Sequence, residues 1–263
     1  MADKSKRPPR IDLKNPDGKF GRLVQIGGTA IVVIFAVVLV FYIVTSHQDK
    51  KSPAAPVNGQ GDTVRVTSSK LVTKPGTTEP KAVVTLYEDF LCPICADFEH
   101  KFGPTVSKLI DIGAIAADYS MLAILDDPRT HNNYSSRAGA AARCVADKSV
   151  DAFRVFHAEL FDPNLQPAER ASSYPDNKWL IERARQAGVD VGPGSEVADC
   201  INSGKYVDVV AAEAKRVGID GTPVIKINGE EYTRSTPQDL VAKIKGIVGD
   251  VPGIDTAVAP AAS

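Results

Sequence analysis

Apolar residues follow three patterns along this chain, and each pattern predicts a different kind of structure. An uncharged apolar run from Leu23 to Thr45 is long enough to cross the hydrocarbon core of a bilayer, about 30 Å thick, as a helix. β-Branched and aromatic residues cluster at 62–66 and 82–90 between turn signals, which predicts strands. Apolar residues then recur at helical spacing over 96–110, although Gly103-Pro104 predicts a kink or break in that helix.

The later elements place a block of helices within a framework of strands. Residues 116–125 predict a third strand, and 126–217 shows helical spacing or helix-forming composition in consecutive segments. Strand signals return at 223–228 and end in a hairpin signal, after which Thr236 is expected to cap a last helix. The predicted fold class is therefore α/β with a large helical insertion.

The apolar run at 23–45 is predicted to be a transmembrane anchor. Residues 1–22 contain more lysine and arginine than acidic residues, so the positive-inside rule places this segment in the cytoplasm. A cleaved signal peptide is the alternative, but its apolar region usually has only about 7 to 15 residues. Under both interpretations the rest of the chain is exported, and we expect a single-pass protein of the cell membrane with its folded domain outside the cytoplasm.

Composition divides the exported part into a linker, a folded domain and a tail. Residues 46–61 are rich in Pro, Gly, Gln, Asn and Lys without an apolar period, which predicts a flexible linker. The predicted strands and helices fall within 62–250. The segment 251–263 resembles the linker in composition and is expected to be disordered.

Overall charge narrows the range of partners. The chain is 43% hydrophobic, which is typical of a globular protein with a substantial core. Its formal net charge is -1 and its basic residues form no sustained stripe. We therefore expect no nucleic-acid partner.

Cys92 and Cys95 form a Cys-x-x-Cys motif at the turn from a predicted strand into a predicted helix. If Cys92 is the N-cap and Pro93 takes the first helical position, the free N–H groups of Ile94 and Cys95 can point at the Cys92 sulfur. The helix dipole also favours the thiolate, which is the nucleophile in disulfide exchange. We predict a Cys92 pKa below that of free cysteine and a shielded resolving thiol at Cys95.

The same motif also occurs as half of a metal site or as an inert disulfide. A zinc site needs about four ligands, and the chain has no second close Cys-x-x-Cys or Cys-x-x-His. We favour a redox pair in an oxidising compartment, and expect neither a metal site nor a cofactor. A copper- or zinc-binding module would have to recruit an exported histidine: His47, His100, His131 or His157.

Cys144 and Cys200 both lie on predicted helices of the insertion. Of the three pairings that four cysteines allow, 92–95 with 144–200 is the simplest, because the first two are neighbours. We expect a structural disulfide between Cys144 and Cys200. The alternative is a second redox pair that exchanges electrons with the first.

Thr222-Pro223 directly precedes a predicted strand, and it completes a resemblance to a known family. With Cys92-Pro93-Ile94-Cys95 after a strand and a helical block after the next strand, residues 62–250 resemble the thioredoxin superfamily. The resemblance is closer to DsbA-like thiol:disulfide oxidoreductases, and the anchored form resembles their actinobacterial branch. It implies a thioredoxin fold with a cis Thr222–Pro223 bond beside the cysteines, where Pro93, Ile94, Thr222 and Pro223 bind substrate.

The resemblance also implies a reaction and its partners. Reduced, exported proteins would be the substrates, a mixed disulfide would form through Cys92, and a quinone-linked membrane protein would reoxidise the pair. An isomerase or reductase would use the same residues, and Ile94 stands where many family members have a histidine that favours strong oxidation. Asp89 is the candidate proton relay for Cys95, with Glu88 as its competitor.

Overall fold

A mixed β-sheet lies at the centre of the fold. The structure is a computed structural model that describes residues 63–127, 132–233 and 235–258. The strands in these ranges are β1 (Val64–Val66), β2 (Val83–Glu88), β3 (Ala116–Met121), β4 (Val224–Ile227) and β5 (Glu230–Glu231). Their order across the sheet is β1-β3-β2-β4-β5. Strands β2 and β3 are parallel, and the other neighbouring strands are antiparallel.

Side chains of β2 alternate between a buried and a half-buried face. Val84 and Leu86 are fully buried, and Glu88 lies on the same face because side chains repeat every two residues along a strand. Every residue of β3 is buried, since this strand lies between β1 and β2 and is covered by helices. The alternation therefore turns an acidic side chain, that of Glu88, into the core.

Seven α-helices surround the sheet within the described ranges. They are α1 (Pro93–Asp111), α2 (Tyr134–Lys148), α3 (Val150–Leu160), α4 (Asn177–Gln186), α5 (Glu196–Ser203), α6 (Val207–Val217) and α7 (Pro237–Val248). Helices α2 to α6 come between β3 and β4, so the predicted helical insertion is present. The Thr236 hydroxyl caps α7 by accepting a hydrogen bond from the Asp239 N–H, as the sequence predicts.

Helix α1 runs without interruption through Gly103 and Pro104, where the sequence predicted a kink or break. Proline removes one hydrogen bond from a helix interior. Phe102, Val106 and Leu109 are buried on the core face of α1, and this packing holds the helix together across the proline. A break at this point was therefore a wrong prediction.

The end of the domain extends further than expected. The expectation that 251–263 is disordered is wrong for 251–258, where Ile254–Thr256 forms a 3-10 helix. Val251, Ile254 and Ala257 are buried in the hydrophobic core, a contribution that the Pro- and Gly-rich composition conceals. Residues 259–263 lie outside the described residues.

The predicted anchor at 23–45, its cytoplasmic segment at 1–22 and the linker at 46–61 also lie outside the described residues. None of the helices in the described ranges has both the length and the apolar character that crossing a membrane requires.

Candidate active site

Cys92 lies at the N-terminus of α1. Its backbone is extended (φ -78°, ψ 117°), and Pro93 follows at the first helical position. Both Cys92 and Cys95 are free thiols; Cys92 is 6% exposed, whereas Cys95 is fully buried. Ile94 between them is 52% exposed, so one face of the motif is open to a partner.

The two thiols have opposite electrostatic environments. A hydrogen bond with the Cys95 side chain is the largest effect that lowers the Cys92 pKa, and the backbone N–H groups of Cys95 and Ile94 add to it, giving a value of about 6. Burial raises the pKa of Cys95, and the nearby Cys92 and Glu88 raise it further. Cys92 is therefore the thiolate at neutral pH and Cys95 the protonated thiol, which is the direction predicted from the sequence.

Thr222 lies directly beside the reactive sulfur. The Thr222–Pro223 peptide bond is cis, which is the form that the resemblance implied. The Cys92 Sγ atom is 3.6 Å from the Thr222 carbonyl oxygen. Pro223 comes immediately before β4, whose Val224 pairs with Tyr87 of β2. The sheet thus fixes Thr222 next to the N-terminus of α1.

Gln166, which sequence reasoning missed, ties the helical insertion to the cysteine turn. Its side-chain amide donates to the carbonyl oxygens of Phe90 and Cys92, each at 3.1 Å. Gln166 lies in the loop between α3 and α4. A glutamine in a loop carries no sequence signal for such a contact.

Asp89 is fully buried beneath the same turn. One carboxylate oxygen accepts the Leu91 N–H and the other accepts the Leu125 N–H, both at 2.9 Å. Burial raises the Asp89 pKa to about 6. Asp89 thus holds the cysteine turn against the segment after β3, and its assignment as a proton relay stays a prediction.

Glu88 points into the core at the end of β2 and is 3% exposed. Its Oε2 atom is 3.1 Å from Nε2 of His157. Burial raises the Glu88 pKa to about 8, and the negative charge of Glu88 in turn raises the pKa of Cys95. Of the two neighbouring acids, Glu88 is the one whose side-chain charge acts on the resolving thiol.

The histidines do not join the cysteines. His100 Nε2 is 2.9 Å from the Phe161 carbonyl oxygen, and His157 faces Glu88. In the described part of the chain, the group of three potential metal ligands consists of Glu88, Glu99 and His157 and includes neither cysteine. His47 and His131 lie outside the described residues.

Cys144 of α2 and Cys200 of α5 form a disulfide, with their Cα atoms 5.9 Å apart. Cys144 is buried and Cys200 half-buried. The bond joins two helices of the insertion that are separated by 56 positions in sequence. It therefore cross-links the insertion internally.

Comparison with known proteins identifies the family of this chain. A family model described as Thioredoxin matches residues 72–246. The chain is 63% identical to a reduced disulfide bond oxidoreductase (DsbG) from Mycobacterium tuberculosis, covering 79% of this chain and 97% of that one with a TM-score of 0.73. It is 62% identical to reduced DsbA from Mycobacterium tuberculosis, covering 77% of this chain and 100% of that one, also with a TM-score of 0.73.

A more distant similarity links the chain to a kinase. It is 27% identical over 148 residues, or 56% of this chain, to the serine/threonine-protein kinase PknE of Mycobacterium tuberculosis. The matched region is only 25% of the length of that curated relative.

Proposed function

This chain belongs to the thioredoxin family and, within it, to the DsbA-like thiol:disulfide oxidoreductases, and from that premise we propose that it forms disulfide bonds in exported proteins. The observation that carries the proposal is the placement of the Cys92 sulfur. It lies at a helix N-terminus, it has a pKa of about 6, and it is 3.6 Å from the Thr222 carbonyl.

The reaction begins with the Cys92–Cys95 pair oxidised. A substrate thiolate attacks Cys92 Sγ, a mixed disulfide forms, and Cys95 leaves as a thiolate that takes up a proton. A second substrate thiolate then attacks the substrate's own sulfur in the mixed disulfide and displaces the Cys92 thiolate. The substrate loses two electrons as its disulfide forms, and the enzyme gains them as a dithiol.

Cys92 suits the leaving step because a thiol of low pKa departs readily. The raised pKa of Cys95 favours its protonation, which opposes re-closure of the enzyme disulfide before the substrate has reacted. We propose that the substrate chain pairs with the Thr222 backbone as an added strand, beside Pro93, Ile94 and Pro223. The 52% exposure of Ile94 supports its place in that contact.

Each turnover leaves a dithiol, so a second protein must accept two electrons. We propose a quinone-linked membrane protein as this oxidant and an extracytoplasmic location for the domain. The uncharged run at 23–45 supports membrane attachment, and the Cys144–Cys200 disulfide supports an oxidising compartment. To test the location, intact cells that produce the full chain are treated with a membrane-impermeant phosphine, which opens an exported Cys92–Cys95 disulfide, and after washing are labelled with a membrane-impermeant maleimide. Cys92 should react before lysis, whereas reaction only after lysis would place the domain in the cytoplasm.

The direction of electron flow is tested by the reduction potential of the Cys92–Cys95 pair against glutathione. A potential nearer about -120 mV than about -270 mV is expected for an oxidase, and the reverse would indicate a reductase. In parallel, the oxidised protein should restore activity to reduced, unfolded ribonuclease A. Recovery only from scrambled ribonuclease would indicate an isomerase.

Two serine variants test the order of the thiols. Cys95→Ser should be trapped in a mixed disulfide with scrambled ribonuclease: the Cys92 thiolate attacks a ribonuclease disulfide and releases one ribonuclease thiolate, and no Cys95 thiol is present to resolve the product. Cys92→Ser is the matched control and should trap none. Equal trapping by both variants would contradict the assignment of Cys92 as the nucleophile.

A further inference from the structure

Three side chains from separate elements meet in the core beside the cysteine turn. Glu88 ends β2, Glu99 lies on α1 and His157 lies on α3. Each offers one ligand atom, and these atoms all lie within 4.8 Å of one another. Glu88 and His157 are buried, whereas Glu99 keeps part of its surface exposed.

Two carboxylate oxygens in this cluster have no hydrogen-bond partner. These are Oε1 of Glu88 and Oε1 of Glu99, and both are enclosed by the protein. The second oxygen of Glu88 faces His157 at 3.1 Å. Enclosed carboxylates are costly unless a cation or a proton neutralises them. Burial raises the pKa of both Glu88 and Glu99, so the two side chains are neutralised either by protons of their own or by a bound cation.

A cavity of about 700 Å³ adjoins the cluster. Glu99 and His157 line it, together with Tyr119 and Gly103. A metal ion held by three protein ligands usually keeps a further coordination position for water or another small ligand. The cavity provides both an entry route and room for such a ligand.

We propose that Glu88, Glu99 and His157 bind one divalent transition-metal ion. Carboxylate oxygen and imidazole nitrogen together suit Zn²⁺ and Mn²⁺, and a divalent charge would neutralise both glutamates. Neither cysteine belongs to this group of ligands, although the charge of Glu88 acts on Cys95, and the proposal does not depend on the direction of disulfide exchange. It also revises the expectation from sequence that the chain has no metal site.

The test uses the oxidised protein, because the Cys92–Cys95 disulfide then prevents the thiols from binding metal. Equilibrium dialysis against Zn²⁺ or Mn²⁺ followed by elemental analysis should show one ion per chain, and the ion should raise the unfolding temperature. Glu99→Gln and His157→Gln should weaken binding by more than about tenfold. Glu159→Gln is the matched control, since Glu159 lines the same cavity but lies outside the cluster.

A second variant guards against misfolding of the ligand variants. A Cβ atom at Gly103 would lie 2.6 Å from Glu99 Oε2, so Gly103→Ala must displace that carboxylate. Alanine favours a helix interior over glycine, so the metal-free fold should keep its stability. We expect weaker metal binding without a lower unfolding temperature of the metal-free protein.

Two results would overturn the proposal. If wild-type protein retains no more metal than Glu99→Gln and the ion does not change its unfolding temperature, the glutamates are neutralised by protons instead. If wild type and all variants retain equal metal, the ion binds elsewhere on the surface.

Discussion

The Sγ atom of Cys92 lies 3.6 Å from the carbonyl oxygen of Thr222, across 130 residues of chain. This contact brings the reactive sulfur to the backbone that is proposed to hold the substrate. A substrate strand paired beside Thr222 would therefore carry its own cysteine directly to Cys92. The predictions below concern the groups that set the reactivity and the position of this sulfur.

The Cys92 thiol should ionise well below the pH expected for free cysteine. Thiolate absorbance at 240 nm in the reduced protein should rise with a midpoint near pH 6, because the hydrogen bond from Cys95 and the helix N–H groups stabilise the anion. Cys92→Ser should show no transition in this range, since burial raises the Cys95 pKa. A midpoint close to that of a free thiol would contradict the prediction.

The same shift should appear in the stability of the reduced protein. The pKa of Cys92 is about 6 in the folded protein, below the ordinary cysteine value of 9.0, so the thiolate adds stability above the unfolded pKa that is lost as pH falls to the folded pKa. Relative to Cys92→Ser, the free energy of unfolding should rise between those pH values by at most about 1.4 kcal/mol per pH unit. Urea denaturation at several pH values under reducing conditions measures this difference. If the free energies of unfolding of the wild type and of Cys92→Ser changed in parallel with pH, the prediction would be wrong.

Ile94→His should make the protein a stronger oxidant. Ile94 is largely exposed, so the substitution leaves the core intact, and a protonated imidazole would stabilise the neighbouring Cys92 thiolate. A fall of one unit in the thiolate pKa is worth about 1.4 kcal/mol, equivalent to about 30 mV in a two-electron couple. We expect the potential to rise by up to about that amount in glutathione equilibration. Ile94→Gln, polar but uncharged, should change it little.

Asp89→Asn should lower the stability of the protein more than it lowers the rate of disulfide exchange. Both carboxylate oxygens accept backbone N–H groups, and an amide can replace only one of them as an acceptor. The loss should be about 1 to 3 kcal/mol in chemical denaturation, because a buried donor is left unpaired. The rate of disulfide exchange per folded molecule should hardly change. A large fall in rate with unchanged stability would instead assign Asp89 to proton transfer.

Removing the Cys144–Cys200 bond should destabilise the domain without changing the active thiols. The bond closes a loop of 56 positions, for which chain entropy gives about 4 kcal/mol. The Cys144→Ala, Cys200→Ala double variant should therefore unfold at lower denaturant concentration while Cys92 keeps its pKa. If mild reduction opened both disulfides of the wild type at similar potentials, the bond would be a second redox pair.

The active turn was predictable from sequence because it is local. A strand ends, Cys92 caps the next helix, and Pro93 takes the position where its missing N–H costs nothing. The acidic residues show the limit of such reasoning. Side-chain alternation at the end of β2 places Glu88 and Asp89 on opposite faces, but it does not predict that both side chains are buried, as they are in the structure.

By itself, then, the sequence determined the order of elements, the helix N-terminal position of Cys92 and the direction of its pKa shift, because periodicity, helix capping and the helix dipole act within a few residues. Tertiary structure decided which distant groups contact the cysteine turn and the neighbouring Glu88, and of these groups the family resemblance had implied only Thr222. Thr222, Gln166 and His157 reach their places through the packing of the sheet and the insertion. No short-range pattern encodes those contacts, since each depends on how segments far apart in sequence pack together.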